Sequence, residues 1–280
     1  ATVKPVKTQT GNTYRFSTGK ITYEHVGTYT YTVKEQASKV AGVTSDAAEY
    51  TVVVEITEEN GALKRVATVT PEPSADGTLD FTNTYAATGS LDGASNLTVT
   101  KVLEGRDWSD GSAGVPADSF EFALAAGDDV TQAAIDAGTV ELPEATTVTV
   151  DHATADHKAA FGNIEFTEAG EFTFKVTEVL PADDDAETEG IQKNGITYDE
   201  SEKTVKVSVV DNLDGTLTAT VTEGANPTFT NKYDSDPASV GTGAMFDLTK
   251  QLTGREGNAW ADGDSFEFTL TGNDGAPMPA

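Results

Sequence analysis

The chain has 280 residues, a formal charge of −28 and no cysteine. This length accommodates about two domains. Strong negative charge argues against binding to nucleic acids and to anionic membrane surfaces, both of which require basic patches, and the lack of cysteine excludes disulfides and thiol chemistry.

The composition predicts an all-β protein. Threonine, valine and glycine are abundant, alternation of apolar and polar residues is frequent, and long helical periodicity is rare. No apolar run approaches the roughly 20 residues that cross a bilayer, and no signal peptide opens the chain. Because the first residue is Ala1 rather than methionine, we expect a piece of a longer protein.

Residues 1–87 are predicted to be the C-terminal part of a β-sandwich repeat. Alternation and turn residues predict strands at 3–6, 21–23, 28–35, 50–56, 63–69 and 81–85. The small residues of 86–95 predict a linker.

Residues 88–235 are predicted to be a complete repeat. Strands are predicted at 97–103, 119–124, 146–150, 161–166, 171–178, 204–210, 217–221 and 228–233, with one or two helical turns at 131–137. The segment Phe229–Tyr233 repeats Phe81–Tyr85 about 148 residues later, which is typical of a repeat array.

Residues 236–280 are predicted to be the N-terminal part of a third repeat. A second linker is expected at 234–244. Beyond it, residues 246–252 match 97–103, residues 265–270 match 119–124, and Trp260 after a Gly-Arg pair matches Trp108.

Three polar residues of the complete repeat fall in phase with apolar ones. Lys101 alternates with Leu97, Val99 and Leu103, Glu178 alternates with phenylalanines, and Asn231 lies in the last strand. Burying such groups unpaired is expensive. Three ordinary placements stay open: a strand-edge lysine with its head in water, an exposed glutamate at a strand end, and a turn-forming asparagine.

The ordered motifs resemble a known family. Lys101-x-Leu-x-Gly-Arg, then Phe172-x-Phe-x-Val-x-Glu178, then Phe229-x-Asn-x-Tyr are similar to the isopeptide-linkage repeats of Gram-positive pilins and surface adhesins. The resemblance covers essentially the whole chain. It implies tandem immunoglobulin-like β-sandwiches close to the collagen-adhesin B-type domain. It also implies a spontaneous amide between Lys101 and Asn231, with Glu178 as the catalytic group and no cofactor or metal.

The resemblance implies a structural stalk segment of a surface adhesin or pilus-like protein, not a turnover enzyme. Expected partners are neighbouring repeats of the same chain, and the expected location is extracellular and cell-wall-anchored, with no nucleic-acid or membrane contact. The alternative is a module that binds a host glycan or matrix protein. An enzyme acting on an external substrate would need a pocket with converging polar groups.

Other candidate sites have ordinary interpretations. The pairs Asp151–His152 and Asp156–His157 lack further ligands at fixed spacing and predict a solvated loop. Residues 211–215 predict a hairpin turn rather than a calcium loop. Trp108 and Trp260 each follow a Gly-Arg pair, and we expect them to pack in the core or between domains rather than to stack on sugars.

The partial repeats hold complementary halves of the motif set. The first has Glu35 and Asn83 without a first-strand lysine, and the third has Lys250 without its partners. Neither closes its own bond within this chain, so Lys250 of one copy is a candidate partner for Glu35 and Asn83 of another.

Head-to-tail joining of copies predicts ladders that resist SDS when the purified chain is concentrated. The Lys250→Ala variant removes the only lysine of the third repeat's first strand, so its ladders should disappear. A single monomer band from the unaltered chain would contradict this prediction.

Overall fold

The protein is all-β, as its alternating sequence predicts. The computed structural model describes residues 8–10, 13–112, 114–183, 190–235, 248–258, 260–273 and 276. Contacts divide the chain into residues 1–234 and residues 235–280. None of the helices in the described ranges has the length and apolar content needed to cross a membrane. The predicted strand at 3–6 and most of the predicted linker at 234–244 lie outside the described residues.

The first part of the chain forms three small antiparallel sheets. The strands are β1 Thr8–Thr10, β2 Thr13–Arg15, β3 Gly27–Lys34, β4 Val43–Thr44, β5 Glu49–Glu59, β6 Ala62–Thr70 and β7 Thr84–Tyr85. Strand β1 pairs with β2, β4 pairs with β7, and β3, β5 and β6 form a three-stranded sheet in that order.

The middle part has thirteen strands and two short helices among its described residues. The elements are β8 Gly89–Leu91, α1 Gly93–Asn96, β9 Thr98–Glu104, β10 Ser119–Ala126, α2 Asp129–Asp136, β11 Val140–Glu141, β12 Thr147–Asp151, β13 Lys158–Ala160, β14 Ile164–Phe166, β15 Gly170–Glu178, β16 Gln192–Lys193, β17 Ile196–Thr197, β18 Lys203–Asp211, β19 Leu217–Glu223 and β20 Thr228–Tyr233. A 3₁₀ turn covers Ala155–His157. The helix at Asp129–Asp136 confirms the helical turns predicted there.

Two five-stranded sheets enclose the core of the middle part. The first sheet has the order β12-β10-β15-β18-β19, and the second has the order β13-β9-β20-β17-β16. Phe122 of the first sheet meets Phe229 of the second with ring centroids 5.0 Å apart, and both side chains are fully buried. A three-stranded sheet, β11-β14-β8, completes the middle part.

Strands β9 and β20, the first and last strands of the second sheet in chain order, are neighbours. Strand β9 pairs in parallel with β20, with Lys101 opposite Phe229 and Leu103 opposite Asn231. Side chains two residues apart in a strand share a face. This register therefore places Lys101 and Asn231 on the same inward face of adjacent strands.

The predicted linker at 86–95 is wrong, because these residues are packed. Gly89–Leu91 is strand β8, paired with β14, and Leu91 is buried. A Cβ on Gly89 would lie 2.3 Å from the carbonyl oxygen of Leu217, and one on Gly93 would lie 2.2 Å from that of Phe161. The small residues are there because neighbouring backbones approach closely.

Two strands predicted in the first part also differ from the structure. Ile21–Tyr23 is not a strand, and the predicted strand at 81–85 contracts to Thr84–Tyr85. In the middle part the equivalent strand β20 is long because it pairs with β9. The described part of residues 1–87 contains no counterpart of β9, so only the two residues that pair with β4 form a ladder.

The third part, residues 235–280, forms no strand among its described residues, although strands were predicted at 246–252 and 265–270. Residues 246 and 247 of the first prediction lie outside the described residues. Its only regular element there is a 3₁₀ turn at Glu256–Asn258. Strand β10 of the middle part is held between β12 and β15. Strands need such partners to satisfy their backbone groups, and residues 235–280 hold no counterpart of β15.

Replacing Gly89 with alanine should destabilise the middle part. The new methyl group would meet the Leu217 backbone, and overpacking of this kind costs about 1–3 kcal/mol. Chemical denaturation measures the loss. Gly19→Ala is the matched control, because no atom lies within 4 Å of its added Cβ. Equal stability of the two variants would contradict the close packing of β8.

Candidate functional site

Lys101, Glu178 and Asn231 meet inside the sandwich of the middle part. Lys101 Nζ donates a hydrogen bond to Glu178 Oε2 over 2.7 Å, and Asn231 Nδ2 donates to Glu178 Oε1 over 2.8 Å. The lysine comes from β9, the glutamate from the end of β15, and the asparagine from β20. One carboxyl from the first sheet therefore bridges two nitrogens from the second.

All three side chains are withdrawn from water. The side chains of Lys101 and Glu178 have 0% of their area exposed, and Asn231 is also fully buried. Because water reaches none of them, the ordinary placements considered from the sequence do not hold. The residues instead satisfy one another, as buried polar groups must.

Burial sets the protonation of the pair. It lowers the pKa of Lys101 from 10.5 to about 8, although the nearby Glu178 carboxylate opposes the change. Burial likewise raises the pKa of Glu178, against the effect of Lys101. Both shifts favour uncharged forms, as desolvation requires. Both groups are therefore easier to neutralise in the core than they are in water.

Aromatic rings form the wall around the amine. Lys101 Nζ lies 4.8 Å from the ring centre of Phe120 and 5.8 Å from that of Phe122. Phe122 pairs with Glu178 across β10 and β15. The same strand that supplies the rings therefore also lies beside the carboxylate.

Asp199 contacts the site, and the sequence reasoning missed it. Its backbone N–H donates to Asn231 Oδ1 over 2.8 Å. Asp199 follows β17 in the segment Ile196-Thr-Tyr-Asp, and Asp46 follows β4 in the similar segment Val43-Thr-Ser-Asp. This repeated Thr-x-Asp was the available signal.

The first part repeats half of the site. Asn83 Nδ2 donates to Glu35 Oε1 over 2.7 Å. The backbone N–H of Asp46 donates to Asn83 Oδ1 over 2.9 Å, as Asp199 does to Asn231. Asn83 is exposed whereas Asn231 is buried.

The third part repeats the other half. Lys250 Nζ lies 4.7 Å from the ring centre of Phe266, which the sequence aligns with Phe120. Arg255 also pairs with Asp264 through its two terminal guanidinium nitrogens, as Arg106 pairs with Asp118. Lys250 is exposed. Joining of Lys250 to Asn83 between copies stays a prediction.

Comparison with known proteins identifies the family. The model of the Spy0128-like isopeptide-containing domain, FctA, matches residues 1–86 and 97–234. The chain belongs to the FctA family. The second matched range holds Lys101, Glu178 and Asn231, the first holds Glu35 and Asn83, and Lys250 lies beyond both.

Solved structures similar to this FctA-family chain include major pilins of Streptococcus pyogenes. The T3.2 pilin is 19% identical, with 76% of this chain and 69% of that chain covered and a TM-score of 0.20. The T-13 pilin is 19% identical over 79% and 72%, with a TM-score of 0.20. A further major pilin is 20% identical over 76% and 73%, with a TM-score of 0.21. No curated protein matches the chain.

The other candidate residues lie in turns and ring contacts, where His157 is half-buried instead of solvated and Trp260 is exposed. Among the described residues no group of three or more His, Asp or Glu side chains is arranged to hold a metal. His157 stacks on Trp108 with ring centroids 3.9 Å apart, and Trp108 packs edge-on against Phe120. The segment 211–215 connects β18 to β19 as the predicted hairpin.

The lowered pKa of Lys101 predicts a pH dependence of stability in an Asn231→Ala variant, which cannot form the crosslink that the family resemblance implies. The folded pKa is about 8 against 10.5 for an ordinary lysine. Between these values the unfolded chain binds more protons, so the free energy of unfolding should rise with pH by about 3 kcal/mol.

Chemical denaturation near both ends of this pH range measures the change. The control is the double variant Asn231→Ala, Lys101→Met, which lacks the titrating amine and cancels contributions from other groups. If both variants show the same pH dependence, the pKa of Lys101 is not lowered by folding.

Proposed function

We propose that the chain is a structural segment of a cell-surface pilus or adhesin stalk whose middle domain locks itself covalently. The bond is an amide between Lys101 Nζ and Asn231 Cγ, formed with the help of Glu178. The observation that carries this proposal is the hydrogen-bonded contact of three buried side chains, Lys101–Glu178–Asn231.

The surroundings suit amide formation. Only a neutral amine is a nucleophile, and burial lowers the pKa of Lys101 to about 8. Folding holds amine and carboxamide against one carboxyl, and such intramolecular placement is worth effective molarities of about 10⁵–10⁸ M. The reaction uses side chains alone and occurs once per domain, which makes it a maturation step rather than turnover.

The topology gives the bond a mechanical purpose. Lys101 lies in β9 and Asn231 in β20, near the two ends of the domain, and these strands are parallel neighbours. Tension applied to the ends of the domain would otherwise separate the two strands. A covalent bond between them carries the tension directly and leaves the intervening strands unloaded.

The bond also replaces the disulfide that this cysteine-free chain lacks. It closes a loop of about 130 residues, for which chain entropy gives roughly 4–5 kcal/mol. Small secreted domains commonly need such a covalent staple.

The proposed setting is the cell surface, with neighbouring repeats as partners and attachment to the cell wall through other parts of the protein. Hydrogen bonds between the first and middle parts support the partnership between neighbouring repeats. Tyr85 donates to Asp211 Oδ1 over 2.7 Å and accepts from the backbone N–H of Gly215 over 3.2 Å. Binding to a host glycan or matrix protein stays an alternative that a binding array tests.

Intact-mass measurement of the purified chain tests the crosslink. The unaltered chain should weigh one ammonia less than its sequence requires, because the carboxamide nitrogen of Asn231 leaves. Proteolysis should then yield a branched peptide that joins Lys101 to Asn231.

Variants show which residues are needed. Lys101→Met, Glu178→Ala and Asn231→Ala should each retain the full sequence mass, whereas Lys250→Ala should still lose one ammonia. An unaltered chain that carries its full mass after folding would refute the proposed bond.

A further inference from the structure

The carboxamide of Asn231 is held in one orientation by the backbone of Asp199. We infer that the Asp199 N–H polarises the carbonyl of Asn231 for attack. The inference rests on the proposed Lys101–Asn231 amide and says how it forms.

The orientation follows from donor and acceptor chemistry. A backbone N–H can only donate, so the oxygen of the carboxamide must face Asp199, at 2.8 Å. The Nδ2 group then faces Glu178 and donates to Oε1 over 2.8 Å. Glu178 thus contacts the leaving nitrogen, while its other oxygen contacts Lys101 Nζ at 2.7 Å.

A carbonyl oxygen gains negative charge when an amine attacks its carbon. A fixed N–H aimed at that oxygen stabilises the charge most strongly where water is excluded. Asn231 is fully buried. The Asp199 N–H is therefore the donor in place for the developing oxyanion.

The Asp199 carboxylate positions this N–H. Its Oδ2 accepts from the backbone N–H of Thr230 over 3.1 Å, and its Oδ1 accepts from the backbone N–H of Ser201 over 3.0 Å. Thr230 is the residue directly before Asn231. The carboxylate consequently ties the loop after β17 to the strand that carries the reacting amide.

The first part repeats the arrangement. The Asp46 N–H donates to Asn83 Oδ1 over 2.9 Å. Its carboxylate accepts from the N–H of Thr82 over 2.6 Å and from that of Ala48 over 2.8 Å. Because Asn83 is exposed, burial is not what produces this geometry. Two short segments that both parts share produce it instead. One is Thr-x-Asp, and the other is the Thr-Asn pair, Thr82–Asn83 in the first part and Thr230–Asn231 in the middle part.

The proposed step balances. Lys101 passes one proton from Nζ to Glu178 Oε2, and the neutral amine attacks Asn231 Cγ while Oδ1 takes the charge against the Asp199 N–H. The carboxyl gives its proton to Nδ2 and takes one from the attacking nitrogen, and the C–Nδ2 bond breaks. Of the five N–H protons at the start, one stays on the new amide, three leave with ammonia and one stays on Glu178.

Timed crosslinking of the full chain tests the positioning role. The chain is produced in a short pulse of cell-free translation, and ammonia loss is followed by intact mass. Asp199→Ala keeps the N–H but frees it from the clamp, so crosslinking should slow roughly tenfold to a hundredfold. Asp199→Asn keeps a carbonyl acceptor without the charge and should lie between Asp199→Ala and the unaltered chain.

Each outcome decides a point. If Asp199→Ala crosslinks at the rate of the unaltered chain, the inference is overturned. If Asp199→Asn crosslinks as slowly as Asp199→Ala, the slowing is caused by loss of the carboxylate's charge and not by loss of its hydrogen bonds. Near-ultraviolet circular dichroism of Asp199→Ala combined with Lys101→Met checks that the domain still folds. If the unaltered chain loses no ammonia, the proposed crosslink itself fails.

Hydrogen exchange of the Asp199 amide tests the hydrogen bond without any reaction. In ¹⁵N-labelled Lys101→Met, which cannot crosslink, this amide should exchange slowly because it donates to Asn231 Oδ1. Adding Asn231→Ala should accelerate its exchange at least about tenfold, whereas amides in β18 should change little. Equal Asp199 exchange in both variants would show that the carbonyl is not its acceptor and would overturn the inference.

Discussion

The site depends on one buried carboxyl. Glu178 has two oxygens, and in the absence of water each must be satisfied by a side chain from the opposite sheet, Lys101 for one and Asn231 for the other. Leaving any of these groups unpaired in the core would cost several kcal/mol. The requirement that stabilises the sandwich therefore also brings the amine and the carboxamide together. Burial of the same groups lowers the pKa of Lys101 and raises that of Glu178.

The first and middle parts separate two contributions to this site. The glutamate–asparagine hydrogen bond and the aspartate clamp are present in both, so the later strands and the Thr-x-Asp segment suffice to build them. Within the residues that the structure describes, the first part has no counterpart of β9, and its Asn83 is exposed whereas Asn231 is buried. The first strand thus supplies both the lysine and the exclusion of water that lowers the pKa of its amine.

The same strand pairing connects the chemistry to the mechanical role that we propose. Strands β9 and β20 are parallel neighbours near opposite ends of the domain's sequence, so they are the pair that tension would pull apart. The backbone is also tightly packed at Gly89 and Gly93, in the segment that follows the first part. A segment of small residues is therefore part of the folded structure, where composition alone indicated a flexible connection.

The sequence by itself determined the all-β class, the repeat and the polar trio, because apolar alternation specifies which side chains face inward. Lys101, Glu178 and Asn231 could be found in this way since each is in phase with large apolar neighbours. Asp199 could not be found from apolar alternation, because its contact with Asn231 is made by a backbone N–H; only the repeated Thr-x-Asp segment marked it. The extents of the strands were also decided by tertiary structure, since a ladder forms only where a partner exists: the terminal strand is long beside β9 and shrinks to Thr84–Tyr85 without it. The sequence therefore specified which groups are buried together, and the folded structure alone decided how each was oriented toward the others.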